Sequence, residues 1–217
     1  MNEGDFIRID FVGRIKENGQ IFDLTKEDVA KENAIFNPEF KYGPVPVIVG
    51  SNLIIKGIEK TLKDMKIGEK KKIEVPLEEG FGKRSEKLIK LIPISEFKKQ
   101  NMEPYPGMIV NMNNVGGRVL SVSGGRITVD FNHPLAGKEL EYDLEITEQI
   151  KDENKQVKAI LELYIKMKDE DVEVSVKDGV AEINIKVDVH RKTKEECVQI
   201  IKKWIKEIQK IRFIEEF

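Results

Sequence analysis

The stretch that decides the fold is Val47-Ile48-Val49-Gly50-Ser51-Asn52-Leu53-Ile54-Ile55-Lys56-Gly57-Ile58-Glu59-Lys60-Thr61-Leu62. An apolar run typical of a strand stops at the first glycine, and the apolar positions Ile54, Ile58 and Leu62 then fall four apart, which is helical spacing. The pattern predicts a strand that leads into a short helix. The consecutive aliphatics at 53–55 cannot share one face of either element, so part of this surface must contact a second core layer or a ligand.

The composition predicts a globular protein with one large domain or two to three small ones. The chain has 217 residues, of which 40% are hydrophobic and 35% charged. Its 37 basic and 39 acidic side chains are well mixed and give a net charge of −2. This balance leaves no excess positive field for a phosphate backbone, so we expect no nucleic-acid partner.

The cysteine and histidine content argues against a metal site. Cys197 is the one cysteine, which permits no internal disulfide, and His133 and His190 are far apart in the sequence. Residues 1–5 lack the basic and apolar regions of a signal peptide, and the longest apolar runs are too short for a membrane span. We expect a cytoplasmic protein with no metal, no cofactor and no membrane partner.

The N-terminal residues predict an antiparallel hairpin followed by a short helix. Residues 6–12 nearly alternate between apolar and charged side chains, and residues 17–20 form a strong turn signal. The next run resumes the sheet, and Thr25 is placed to cap a helix over residues 26–33. Asp23 interrupts that second strand, where a carboxylate is either an exposed strand end or turn cap, or a functional group.

The middle of the chain predicts a further strand and a tight bend. Residues 70–76 predict a strand whose lysines indicate a solvated edge, because acidic residues flank them. The glycines on either side of Phe81 lack the spacing of a phosphate-binding loop and instead predict a bend that projects the aromatic ring. His133 is expected to be a structural histidine in a turn.

Residues 85–129 predict a small β unit. Short apolar runs, including residues 94–97, are separated by hairpin turns and indicate short strands. Three methionines cluster here, at Met102, Met108 and Met112. Because methionine is adaptable, they either form a binding face for unfolded chains or fill a small core.

The C-terminal residues 152–217 predict a compact αββαβ unit. Two alternating runs flank Asp178-Gly179, which favours a hairpin on a type I′ turn. Thr193 begins a capping-box pattern ahead of a helix with a wide apolar stripe that includes Trp204. A unit this small buries its apolar surface incompletely, so we expect either self-association, as a homodimer, or docking on the first domain.

Several motifs occur in the order that is typical of one family. They are Gly13, Ile21-Phe22-Asp23, Val49-Gly50, Ile54-Ile55-Lys56-Gly57-Ile58-Glu59, Lys66-Ile67-Gly68-Glu69 and Glu79-Gly80-Phe81-Gly82. In this order the chain resembles a long, SlyD-like, archaeal-type member of the FKBP-type peptidyl-prolyl cis-trans isomerases, with an insert-in-flap domain and an extra C-terminal domain. The resemblance covers residues 1 to about 150.

The resemblance implies an α+β fold with three domains. A bent antiparallel half-barrel sheet wrapped on a short helix forms the isomerase domain, at 1–84 and 130–151. A small inserted β domain with chaperone activity occupies 85–129, and the αββαβ domain occupies 152–217.

The resemblance also implies the functional residues. Asp23 then supplies a carboxylate beside the rotating carbonyl, Ile55 offers its backbone N–H to a peptide carbonyl, and Ile58 forms the pocket floor, where the family often has tryptophan. The implied catalytic residues are Phe22, Asp23, Ile55, Phe81 and Tyr142. The implied substrate-binding residues are Phe11, Val45, Ile54, Ile58 and Leu135 at the pocket, and Leu91, Ile94, Phe97, Met102, Met108 and Met112 in the insert.

The chemistry of this family needs an apolar pocket more than it needs reactive groups. Rotation about an X-Pro bond must break amide resonance, and the twisted state is less charge-separated than the planar one. An apolar site therefore lowers the barrier without a nucleophile or a metal. The sequence predicts a peptidyl-prolyl isomerase that also acts as a chaperone on unfolded or proline-containing polypeptides. The alternative is a non-catalytic peptide-binding chaperone or adaptor that uses the same pocket.

Overall fold

The computed structural model describes residues 1–112 and 114–215 and has a mixed α+β fold. Its helices are α1 Glu27–Glu32, α2 Lys56–Asp64, α3 Ile94–Lys98, α4 Glu153–Tyr164 and α5 Arg191–Trp204. Its strands are β1 Phe6–Ile15, β2 Ile21–Leu24, β3 Val45–Ile48, β4 Lys70–Val75, β5 Ile89–Pro93, β6 Ile109–Met112, β7 Val115–Ser123, β8 Arg126–Asp130, β9 Leu140–Ile150, β10 Val172–Lys177, β11 Val180–Ile185 and β12 Lys210–Glu215. Residues 1–75 and 141–217 form one compact unit, and residues 76–140 form a second.

The first unit contains a five-stranded sheet in the order β2-β1-β9-β4, with β3 paired to β1. The predicted N-terminal hairpin is confirmed: β1 and β2 are antiparallel, and their register shifts between Gly13 and Arg14. The predicted strand-to-helix transition is also confirmed, because β3 leads into α2. A Cβ added to Gly57 of α2 would lie 2.7 Å from Val75 Cγ1, so the glycine lets the helix pack closely on β4.

Thr25 does not cap α1, contrary to the prediction. The N-cap residue is Lys26, and it makes no side-chain cap hydrogen bond. The Thr25 hydroxyl is buried instead, where it donates to Asp10 Oδ1 at 2.6 Å and accepts from Phe11 N at 2.9 Å. These hydrogen bonds join the residue that follows β2 to β1. A local capping pattern does not predict this contact.

The C-terminal segment has the predicted order of elements. Strands β10 and β11 form an antiparallel hairpin, and β12 pairs with β11 in parallel. Asp178 and Gly179 have φ values of 50° and 72°, as a type I′ turn requires. The predicted cap at Thr193 is wrong, because α5 begins earlier and the side chain of His190 accepts a hydrogen bond from Lys192 N at 3.3 Å.

The C-terminal segment docks on the N-terminal strands of the first unit. Phe6 of β1 and Ile48 of β3 are 2% and 1% exposed and belong to one apolar cluster with the buried faces of α4, α5, β10 and β11. At the edge of this cluster the Arg8 guanidinium donates to both carboxylate oxygens of Glu162 in α4, at 3.1 and 3.0 Å. Docking, one of the two predicted outcomes, therefore occurs within the chain.

The second unit is a four-stranded antiparallel sheet, in the order β5-β8-β7-β6, with its own small core. Residues 94–97 do not form a strand as predicted but begin helix α3. The helical turn brings Phe97, which is fully buried, onto the core residues Val110, Val119, Ile127 and Val129. In an extended chain Phe97 would not reach this core. The strand prediction failed because four residues are too few for their periodicity to distinguish a helix from a strand.

Residues 1–112 and 114–215 contain no helix that is long and apolar enough to cross a membrane. The same ranges contain no group of three or more His, Cys, Asp or Glu side chains that could hold a metal ion.

Cys197 is buried. Burial, and to a smaller extent the negative charge of Glu196, raises the pKa of its thiol to about 11.

Candidate functional site

Three aromatic rings from three adjacent strands meet on the sheet of the first unit. The rings of Phe22 in β2 and Tyr142 in β9 are in edge contact, with centroids 5.7 Å apart and an interplanar angle of 87°. The ring of Phe11 in β1 lies 6.0 Å from that of Tyr142. Since β1 lies between β2 and β9, the strand order itself brings these predicted pocket residues together.

Gly13 gives the two edge-packed rings the room that they occupy. A Cβ at this position would lie 2.8 Å from Tyr142 Cε1 and 2.9 Å from Phe22 Cζ. Real Cβ atoms essentially never come so close to another heavy atom, so a larger residue must displace at least one ring. In the sequence, Gly13 was recognisable as part of a family motif, but its structural role was not.

Gly13→Ala is expected to displace the Phe22 and Tyr142 rings. Because the family resemblance assigns both rings to the proline pocket, we expect the variant to lose isomerase activity. Overpacking of this kind costs about 1–3 kcal/mol of stability. We expect kcat/KM for a proline-containing tetrapeptide to fall about tenfold, which corresponds to ~1.4 kcal/mol in the barrier. The control is Gly116→Ala, because a Cβ on Gly116 meets nothing within 4 Å. If both variants retain wild-type kinetics, the positions of the Phe22 and Tyr142 rings do not affect turnover.

Asp23 lies at the edge of this aromatic group. The residue is exposed, yet desolvation raises the pKa of its carboxyl above the ordinary value, while a hydrogen bond from the Leu24 backbone lowers it. Burial raises the pKa of the Tyr142 phenol, and the negative charge of Asp23 raises it further. Tyr142 therefore keeps its proton at neutral pH and retains an O–H group beside the carboxylate.

The turn between β3 and α2 carries the aliphatic residues of the predicted pocket. Ile54 and Ile55 are half-buried before the helix begins, and Ile58 is 5% exposed on its first turn. Gly50 N donates to the carboxylate of Glu59 in α2, and this side chain is itself buried. The Glu59 carboxylate thus fixes the turn, a role that the sequence analysis missed. Val45, the first residue of β3, is half-buried and pairs with Ile9.

The second unit holds the remaining predicted pocket residues, Phe81 and Leu135. The ring of Phe81 stacks face to face on that of His133, with centroids 4.2 Å apart and an interplanar angle of 2°. His133 Nδ1 also accepts a hydrogen bond from Leu135 N at 3.2 Å. His133 therefore orders this bend, which agrees with its expected structural role.

The predicted binding residues of the insert have unequal access to a ligand. Phe97 is fully buried in the core and offers no surface, so the prediction that it contacts substrate is wrong. Met102, Met108 and Met112 are half-buried and pack against this core, as does Ile94, whereas Leu91 is 65% exposed. The sequence analysis missed several other exposed apolar side chains of this unit: Leu88, Tyr105, Ile109, Val115, Leu120 and Val122.

Comparison with known proteins places the chain in a family. Residues 1–98 match the sequence profile of the FKBP-type peptidyl-prolyl cis-trans isomerases, and residues 90–135 match that of the FKBP26 IF domain. The chain is 36% identical over 146 residues to a short-type peptidyl-prolyl cis-trans isomerase of Methanocaldococcus jannaschii, in an alignment that covers 67% of this chain and 92% of that protein. The chain belongs to the FKBP-type peptidyl-prolyl cis-trans isomerases.

Two further relatives of this FKBP-type isomerase are bacterial proteins. A probable FKBP-type 16 kDa isomerase of Pseudomonas fluorescens is 35% identical over 112 residues, which are 49% of this chain and 73% of that protein. SlyD of Haemophilus influenzae is 31% identical over 107 residues, 48% of this chain and 56% of that protein. The crystal structure of the three FKBP domains of wheat FKBP73 aligns with 14% identity and a TM-score of 0.35, over 70% of this chain and 40% of that one.

Proposed function

We propose that this FKBP-type isomerase catalyses rotation about X-Pro bonds at the aromatic group of Phe11, Phe22 and Tyr142. The observation that carries the proposal is the edge-to-face contact of Phe22 and Tyr142 above Gly13. Aromatic walls supply the apolar, concave lining that a proline ring requires. Residues of the β3–α2 turn, Ile54 and Ile55 among them, complete the proposed lining.

Desolvation is the physical basis of the proposed catalysis. The barrier to rotation of a peptide bond is about 20 kcal/mol and arises from amide resonance. The planar imide is the more charge-separated form, so transfer from water to an apolar site raises its energy relative to that of the twisted form. Each ~1.4 kcal/mol removed from the barrier accelerates rotation tenfold.

The polar groups of the site are proposed to hold the peptide while it twists. Asp23 is proposed to face the rotating carbonyl, and Ile55 to donate its backbone N–H to a second peptide carbonyl. Phe81 and Leu135 are proposed to contact the substrate on the basis of family resemblance. A raised carboxyl pKa supports placement of Asp23 in a partly desolvated environment, where its interaction with a polarised carbonyl strengthens.

A protease-coupled assay on the full chain tests the catalytic proposal against the non-catalytic alternative. The protease cleaves only the trans isomer of a tetrapeptide, so its slow phase reports the rate of cis-to-trans rotation. We expect the wild-type chain to accelerate this phase in proportion to its concentration. Saturable binding of the peptide without acceleration would favour the chaperone or adaptor alternative.

We also propose that the second unit captures unfolded chains through its exposed apolar side chains. Leu91 and Ile109 are 65% and 71% exposed, and such apolar exposure marks interaction surfaces. The double variant Leu91→Ser/Ile109→Ser is expected to lose suppression of aggregation of an unfolded client protein while keeping tetrapeptide turnover. If the double variant still suppresses aggregation, these two side chains are not the capture surface. Deletion of residues 85–129 then shows whether the insert contributes to suppression.

We propose an isomerase domain at 1–84 and 130–151 with the half-barrel arrangement of the family, an insert domain at 85–129 and a C-terminal domain at 152–217. We propose a cytoplasmic location, with no nucleic-acid or membrane partner. Homodimerisation through the C-terminal segment would use its exposed residues, such as Ile214, which is 42% exposed. Sedimentation of the full chain tests it.

A further inference from the structure

A cluster of three aromatic rings, two of them exposed, lies outside the proposed proline pocket, in the loop that joins α1 to β3. The rings of Phe36 and Tyr42 are stacked, with centroids 5.5 Å apart, and the ring of Phe40 contacts that of Tyr42 at 5.0 Å. Phe36 and Phe40 are 41% and 48% exposed, and the neighbouring Ile35 is 44% exposed. Tyr42 is half-buried, and Lys31 Nζ lies 5.1 Å from the centroid of the Phe36 ring. We call this group of side chains the loop cluster: Ile35, Phe36, Phe40 and Tyr42.

Hydrogen bonds hold the loop cluster in one conformation. Asn37 N donates to the Tyr42 hydroxyl at 2.9 Å, and Phe40 N donates to Asn37 O at 3.1 Å. At the end of the loop Gly43 N donates to Thr25 O at 2.8 Å. Because the rings are already ordered, a ligand that contacts them loses little conformational entropy of the protein on binding.

The two ends of the loop lie close to residues of the proposed pocket. Thr25, which accepts from Gly43, also accepts from the backbone N–H of Phe11 at 2.9 Å, so the loop ends beside a pocket aromatic. The Arg8 guanidinium donates to Pro44 O at 3.0 Å, directly before Val45 of the pocket. Three peptide units separate Tyr42 from Val45, which limits the distance between their Cα atoms to about 11 Å.

We infer that the loop cluster is a second contact surface for the client polypeptide and binds the residues that flank the prolyl bond held in the pocket. The inference rests on the proposed function and adds a subsite to it. An extended peptide crosses about 11 Å in three to four residues, so a chain with its proline in the pocket has the reach to lie over the rings. Aromatic rings suit this partner because they contact varied side chains with little entropic cost.

The test compares a short with a long peptide on the full chain. The double variant Phe36→Ser/Phe40→Ser is expected to turn over a tetrapeptide with wild-type kcat/KM, because a tetrapeptide fills only the pocket. For a twelve-residue peptide with one X-Pro bond, we expect kcat/KM to fall fivefold to tenfold, mainly through KM. Phe36→Tyr/Phe40→Tyr keeps both rings and is expected to restore the wild-type value. Equal kinetics of the wild-type chain and the serine variant on the long peptide would overturn the inference.

Two further measurements keep the inference separate from the proposed function. The anisotropy of a fluorescein-labelled twelve-residue peptide measures binding whether or not turnover occurs, and we expect a fivefold to tenfold weaker Kd for the serine variant. Ile67→Ser, at a position that is 51% exposed in the same unit, is the control and is expected to bind as the wild type does. If the variant changes the sedimentation coefficient but not the peptide Kd, the cluster is a self-association surface and the inference is wrong.

Discussion

Replacement of Phe6 by alanine is expected to lower the free energy of unfolding of the C-terminal segment by about 3–5 kcal/mol, although Phe6 lies near the other end of the chain. Phe6 is 2% exposed and shares one apolar cluster with α4, α5 and the C-terminal sheet. Trp204 is the one tryptophan of the chain and lies in α5, so its fluorescence reports unfolding of that segment. A urea titration followed by Trp204 fluorescence measures the change.

Phe40→Ala is the matched control for this prediction. It removes the same side chain at a position that is 48% exposed, where substitutions usually change stability by less than about 0.5 kcal/mol. Far-UV circular dichroism on the same samples follows the sheets. If Phe6→Ala shifts the circular dichroism transition but leaves the Trp204 transition in place, the C-terminal segment unfolds independently of β1.

Replacement of Phe22 by alanine is expected to reduce kcat/KM for a proline-containing tetrapeptide by about thirtyfold to a hundredfold, which corresponds to about 2–3 kcal/mol in the barrier. The variant removes the ring that packs on Tyr142 and admits water to the site, which restores solvation of the planar imide. The protease-coupled assay measures the rate, and we expect kcat to fall more than KM rises.

The adjacent strand residue provides the control for Phe22. Ile21 is also half-buried, but it pairs with Arg14 of β1, whereas Phe22 lies against Gly13. Ile21→Ala is therefore expected to cost stability but to leave kcat/KM within twofold of the wild type. Phe22→Leu separates ring shape from apolarity, and we expect it to retain part of the activity. Wild-type activity of Phe22→Ala would remove the aromatic group from the mechanism.

Local patterns in the sequence were sufficient where the backbone conformation is fixed by neighbouring residues. Asp178-Gly179 predicted its hairpin because a two-residue turn needs positive φ at both positions, and these residue types adopt it readily. Residues 94–97 were predicted to be a strand, but four residues fit the periodicity of a strand and of a helix equally well. The segment is helical, which buries Phe97 in the core. Thr193 is a residue type that often caps helices, but it does not cap α5. The N-cap residue is His190, whose side chain accepts the hydrogen bond.

The candidate site was predictable in its residue types but not in its supports. The family resemblance implied Phe22 and Tyr142, and the strand order β2-β1-β9 brings them together. The hydrogen bond from Gly50 N to the Glu59 carboxylate fixes the β3–α2 turn, and the spacing of apolar residues did not predict it. The apolar exposure of the loop cluster was equally invisible, because the composition of a loop does not say which of its side chains reach solvent.

The strand order of the first unit also determines when it can fold during synthesis. Strand β1 ends at Ile15, but its partner β9 begins only at Leu140, after the whole of the second unit has left the ribosome. Residues 76–140 are contiguous and make their contacts locally, so they are the first part of the chain that can fold. The apolar side chains of Phe6 and Ile48 stay uncovered until α4 and α5 emerge. We therefore expect residues 76–140 to fold during synthesis before the sheet of the first unit can be completed.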